Sequence, residues 1–118
     1  MATEQKTEAQ MSAAEKKDLI TAALEEKKVL DPEIIDIHEM SPIADYFVIG
    51  TAGNKSQMDA LVEAVDECMH KNGEDCKKAE GTYGSGWMLI DCGDVIVHIF
   101  SQEAREFYDL DRIWKEMR

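Results

Sequence analysis

Residues 90–100 read IDCGDVIVHIF, with Asp91 and Asp94 bracketing Cys92-Gly93 and His98 set among β-branched residues. Paired carboxylates could hold a divalent ion, and a Cys with a His could make a nucleophile and its base. The spacing argues against both. Metal-dependent transferases place their acids as D-x-D on one strand, so that both carboxylates face one side. Here the spacing is D-x-x-D through a turn, with no basic cluster nearby to take a triphosphate. Cys92 lies in a tight turn, and nothing in the sequence places a histidine beside it. Cys68, His70 and Cys76 lack the four-ligand spacing of a zinc site, and there is no C-x-x-C. The segment GTAGNKSQ, residues 50–57, stands between a strand and a helix, where phosphates often bind. A Walker loop needs Lys directly after the later glycine, and here Asn54 intervenes. That segment reads as a turn capped by Asn54 or Ser56. No catalytic set, metal or cofactor is expected, and Asp91 and Asp94 read as turn residues or as contacts for a basic partner.

The elements that carry these residues follow from periodicity. Ser12 and Glu15 form an S-x-x-E capping box before a helix with Leu19, Ile20, Ala23 and Leu24 on one face. Asp31-Pro32 should end that segment. A first strand is expected over 33–38. The apolar run ADYFVIGT, 44–51, suits a strand covered on both sides. Gly50 to Asn54 reads as a turn. Met58, Leu61, Val62, Val65, Cys68 and Met69 then repeat at helical spacing up to Asn72-Gly73, a C-terminal cap. A short strand near 75–79, a glycine-rich connector over 80–86, a hairpin, and a turn with a last helix from about 109 complete the chain. Residues 1–11 read as a flexible tail and 12–118 as a single domain. The order of helix, two strands, helix, three strands, helix gives an α/β class on a mixed sheet.

In the hairpin, a two-residue loop of Cys92-Gly93 would set Asp91 opposite Asp94, Ile90 opposite Val95 and Trp87 opposite His98. Alternation puts Met88, Ile90, Val95, Val97 and Ile99 on one apolar face. The other face carries Trp87, Leu89, Asp91, Asp94, Ile96, His98 and Phe100. Large apolar groups mixed with charge suggest partial cover by the last helix, leaving the Trp87 and aspartate end open.

The chain has 25 acidic and 13 basic side chains, a formal net charge of −12. Such a balance disfavours non-specific nucleic-acid binding and anionic membranes and favours basic proteins. No run approaches the about 18 apolar residues of a membrane span. The opening MATEQKTEAQMSAAEKK resembles neither a secretory signal nor a transit peptide. Three cysteines without paired spacing suit a reducing compartment, so a cytoplasmic protein is expected.

The strings ADYFVIGTAGNKSQ, GWMLIDCGDVIVHIF and REFYDLDRIW, in that order, resemble the ribosome silencing factor (Iojap-related, RsfS) family over roughly residues 13–115. The resemblance implies a nucleotidyltransferase-like fold with a five-stranded mixed sheet and flanking helices, but no transferase activity. It implies binding to the large ribosomal subunit through ribosomal protein L fourteen, steric block of small-subunit joining, repression of translation, and a homodimer when free. Within the family strings, Trp87, Leu89, Asp91, Asp94, His98, Glu106, Phe107 and Tyr108 are the expected partner contacts. A nucleotidyltransferase-like enzyme and a generic acidic adaptor for a basic protein are the alternatives.

Overall fold

The computed structural model describes residues 11–74, 76, 78–108 and 112. Helix α1 spans Ala13–Glu26. The Ser12 hydroxyl accepts from the Glu15 N–H, and the Glu15 carboxylate accepts from the Ser12 N–H, so the capping box forms as its spacing predicts. Lys27 caps the helix, and Lys28, at φ 63°, turns the chain. The helix therefore stops before Asp31-Pro32, and strand β1 runs over Leu30–Asp36 rather than 33–38. Pro32 is tolerated there because β1 is an edge strand, and its pairing slips between Leu30 and Glu33.

Strand β2, Tyr46–Ala52, is buried at every position but its first, as its apolar run predicts. It extends through Gly50 to Ala52 because pairing continues on both sides, Thr51 with Leu30 and Ala52 with Ser101. The expected turn shrinks to Gly53-Asn54. Helix α2, Lys55–Lys71, starts with the Asn54 side chain accepting from the Gln57 N–H. It ends in a Schellman motif, with Gly73 N–H donating to the His70 carbonyl and Glu74 N–H to that of Met69.

Strand β3 is Lys78–Thr82, later than expected, because its ladder runs the full length of strand β4, Trp87–Asp91. The connector shortens to one 3-10 turn, Tyr83–Ser85. Strand β5 is Val95–Ser101, and helix α3, Gln102–Tyr108, follows it directly, where a turn was expected. The Ser101 hydroxyl accepts from the Ala104 N–H and starts that helix. The helix expected from about 109 falls outside the described residues, apart from Arg112, which is helical.

The five strands lie in the order β1-β2-β5-β4-β3, with β2 and β5 parallel and the other pairs antiparallel. This is the mixed α/β sheet that the element order implied. Helices α1 and α2 cover one face over Val48, Ile90, Val97 and Ile99, closing a core with Ile20, Leu24, Leu61 and Val65. A smaller core on the opposite face joins Ile35, Ile37, Phe47, Ile49, Phe100 and Ala104. Among the described residues no helix is long and apolar enough to cross a membrane.

Candidate functional site: an aromatic and acidic face on the β4–β5 hairpin

The hairpin pairs Trp87 with Phe100, Leu89 with His98, Ile90 with Val97 and Asp91 with Ile96. This corrects the expected register by a slide of the loop to Gly93-Asp94. Cys92 N–H donates to the Val95 carbonyl across it. Gly93 takes φ 89° at the first loop position, where a primed turn of the II′ kind needs a residue free to adopt positive φ. Asp91 therefore does not oppose Asp94. The division into faces survives for the strand residues, because a slide that changes each pairing by two residues keeps the alternation, while Asp94, expected on the mixed face, falls in the loop. Ile90, Val95, Val97 and Ile99 point into the helix-side core, and Trp87, Ile96 and Phe100 into the other.

The two aspartates separate. Asp91 Oδ1 accepts from the Gly93 N–H at 2.9 Å and braces the turn. Asp94 turns to the helix side, where its Oδ1 lies 2.8 Å from Lys16 Nζ. Lys16 is 5% exposed and also meets the Cys92 carbonyl at 2.9 Å and Glu74 at 3.2 Å. Burial works to lower the Lys16 pKa, but hydrogen bonds and charge from Asp94 and Glu74 outweigh it, and the net shift is upward. Lys16 thus ties α1, the hairpin tip and the end of α2 into one node. The sequence reading missed it, although Lys16, Ile20 and Leu24 share the i, i+4, i+8 spacing of one helical face.

On the other face the rings gather. The Trp87 indole lies 5.1 Å from Phe100 and 4.8 Å from Tyr108 between centroids, and Phe107 meets Tyr108 edge-on at 5.1 Å. Trp87 and Leu89 are half-buried, Glu106 is exposed, and Phe107 is 80% exposed. Trp87, Leu89 and Tyr108, with Glu80, Gly81 and Ser85, line a shallow cleft of about 290 Å³. His98 belongs beneath this surface, only 4% exposed. Its Nδ1 accepts from the Trp87 Nε1–H at 3.1 Å, and burial lowers its pKa to about 4.

Short α3 supplies Phe107 and Tyr108, and two features hold it down. Arg105 donates to the Thr51 hydroxyl on β2 at 2.7 Å. Gly86, at φ 80°, leaves room that a Cβ would take, since that atom would stand 2.9 Å from Ala104 Cβ. Neither contact has a local sequence signal, because each joins residues far apart in the chain.

The arrangement offers little for covalent chemistry. A hydrogen bond with Cys76, together with burial, pushes the Cys92 thiol up, and burial raises that of Cys68, so neither is poised as a thiolate. Among the described residues no group of three or more His, Cys, Asp or Glu could hold a metal ion. What the face can do is bind: an apolar ring cluster, half open, has Glu80 in its lining, with Asp91 on the same strand as Trp87 and Glu106 on the same helix as Tyr108, on a chain of net charge −12.

A family model described as "Ribosomal silencing factor during starvation" matches residues 10–118. A ribosomal silencing factor of Bacillus subtilis is 33% identical over 96 residues, 81% of each chain. One from Halalkalibacterium halodurans is 32% identical over 104 residues, covering 88% of this chain and 89% of its own. A crystal structure of a Chromobacterium violaceum protein superposes with a TM-score of 0.85 at 28% identity, covering 89% of this chain and 88% of that one.

Proposed function

The chain belongs to the ribosomal silencing factor (RsfS) family, and on that premise we propose that it silences ribosomes by binding the large subunit through ribosomal protein L fourteen and blocking small-subunit joining. The observation that carries this reading is the half-open ring cluster beside carboxylates on a strongly acidic chain. Ribosomal proteins are basic, so charge steers the encounter, while rings supply the buried area that holds it. Trp87, Leu89, Phe107 and Tyr108 form the apolar centre of the contact, and Asp91 and Glu106 its acidic rim. Asp94, engaged by Lys16, serves by holding the hairpin tip in shape. A specific contact buries about 800 Å² per partner, which the hairpin and α3 together can provide.

The mechanism is occupancy. A domain seated where the small subunit docks excludes it by bulk, and subunit joining falls by mass action. No bond is made or broken, and the role is regulatory rather than catalytic. In this reading the protein works in the cytoplasm, residues 12–118 act as one unit behind a tail of residues 1–11, and the free protein is a homodimer.

Sedimentation with purified large subunits tests it. The wild-type chain should travel with large subunits, be absent from joined ribosomes, and lower the yield of joined particles when added first. Trp87→Ala and Asp91→Lys should each weaken binding about tenfold or more, and added salt should weaken it further. Equal binding by both variants would remove this surface from the contact. A full yield of joined ribosomes with the protein bound would end the steric account.

A further inference from the structure

We propose that His98 is a positioning residue: its Nδ1 takes the Trp87 indole N–H and fixes the ring in the orientation that a protein partner meets. This rests on the reading of Trp87 as the anchor of the binding face.

An indole nitrogen only donates, so the 3.1 Å bond makes Nδ1 an acceptor and puts the proton of the neutral imidazole on Nε2. Nε2 is buried and meets no hydrogen-bond partner among the described residues. A buried polar group without a partner is costly, and a phenyl ring in the same slot would avoid that cost. The useful end of His98 is therefore the one that faces Trp87. His98 is also a rigid support. It lies on β5 between β2 and β4, with Phe47 edge-to-face at 4.5 Å and Phe100 stacked at 6.3 Å.

Trp87 needs such a support. Its other ring contacts are tilted packings against Phe100 and Tyr108, at 39° and 52°, which constrain direction weakly. A half-buried side chain held only by packing samples more than one staggered well. One directional bond to a fixed acceptor selects a single well before the partner arrives, which lowers the ordering cost of association.

Protonation reverses the arrangement. An imidazolium has two donors and no acceptor, so the bond to Trp87 Nε1–H is lost. Among the described residues, strand β4 carries Asp91 at its tip, β3 carries Glu80, α3 carries Glu103, Glu106, Tyr108 and Arg105, which is bonded to Thr51, and β2 presents Phe47 and Ile49. Helices α1 and α2, with Lys16 and its acids, lie across the sheet.

The test compares wild type, His98→Phe and His98→Asn, all in a Trp114→Phe background so that one indole reports. Asparagine can set Oδ1 where Nδ1 stood; phenylalanine keeps the packing and removes the acceptor. Thermal unfolding first confirms that all three fold. Exchange of the Trp87 indole N–H with solvent, followed by NMR, then reads the ring without any partner. Sedimentation with large subunits reads affinity. His98→Phe should exchange about tenfold faster and bind about tenfold more weakly, with His98→Asn within about threefold of wild type in both. In wild type, the protection of the indole N–H relative to its intrinsic exchange rate at each pH should fall as pH falls toward 4, and in His98→Phe that loss of protection should be absent. Unchanged exchange in His98→Phe, or His98→Asn falling as far as His98→Phe, overturns the assignment. If wild type itself fails to bind large subunits, the proposed function falls, while indole exchange still decides whether His98 fixes the ring.

Discussion

The two faces of the β4–β5 hairpin are built from alternate residues of one stretch, yet they end in opposite conditions. On the helix side Ile90, Val95, Val97 and Ile99 are sealed under α1 and α2, and charge is used inward, through Lys16 and its acids at the tip. On the other side short α3 covers only part of the sheet. Phe107 and Tyr108 stay exposed, Trp87 and Leu89 half-buried, and Asp91 and Glu106 stand on the same strand and helix as these residues. The same alternation thus makes a closed core and an open binding face. Among the described residues, two helices, α1 and α2, cover the closed side and the seven-residue α3 the other.

That contrast can be broken most severely on the closed side. Ile99→Ala should cost about 2–5 kcal/mol of stability, because α1 and α2 cannot collapse into the cavity, whereas Leu89→Ala on the open side should cost about 1 kcal/mol. Urea unfolding of both variants decides it, and similar losses would erase the distinction between the faces.

Next comes pH. Folded His98 is neutral, its pKa lowered from 6.5 to about 4 by burial. Between those values the unfolded chain binds more protons than the folded one, so stability rises with pH across that window. The His98 contribution is full above about pH 6.5 and is lost as pH falls toward 4, on the order of 3 kcal/mol in all. His98→Phe should flatten that part of the profile. Unfolding midpoints at pH 7 and 4.5 check it, and parallel losses in variant and wild type would count against a buried neutral imidazole.

A smaller effect is expected at the node. Lys16→Met should cost about 2 kcal/mol, below the about 3–5 kcal/mol of a fully buried pair, because Asp94 keeps 41% of its side chain exposed and its carboxylate can reach water. With the Lys16 pKa raised, its contribution is present below pH 10.5 and lost as pH rises through the folded value. Large-subunit affinity of the folded variant should fall no more than a few-fold, through the Asp91 end of the tip that the node holds, since the rings lie across the sheet. A sharp loss of affinity would move the centre of the contact from the rings to the tip. The smallest change is expected at the rim: Glu106→Ala should lower affinity by a few tenths of a kcal/mol and reduce the salt dependence of binding. Sedimentation at two ionic strengths reads both.

Much of this was legible in local patterns. The capping box at Ser12, the Asn54 cap, the close of α2 at Asn72-Gly73 and the buried run of β2 each depend on residues a few positions apart. So does the division of the hairpin strands into an apolar and a mixed face, which held for all but Asp94 although the register did not. Pro32 misled because its cost depends on whether a strand is an edge, and that is a property of the sheet. The expected turn after β5 failed in a similar way, since α3 is started by Ser101 and pinned by Arg105 to Thr51, across the fold.

The candidate site divides along the same line. The sequence by itself determined which residue types stand on the mixed face, because side chains alternate along a strand with a period of two and no distant contact can change that. Only the tertiary structure decided their duties: that Asp94 answers Lys16, that Asp91 braces its own turn, and that His98 lies buried beneath Trp87. Those duties depend on distances between chain segments, and which segments meet is settled only when the helices close over the sheet.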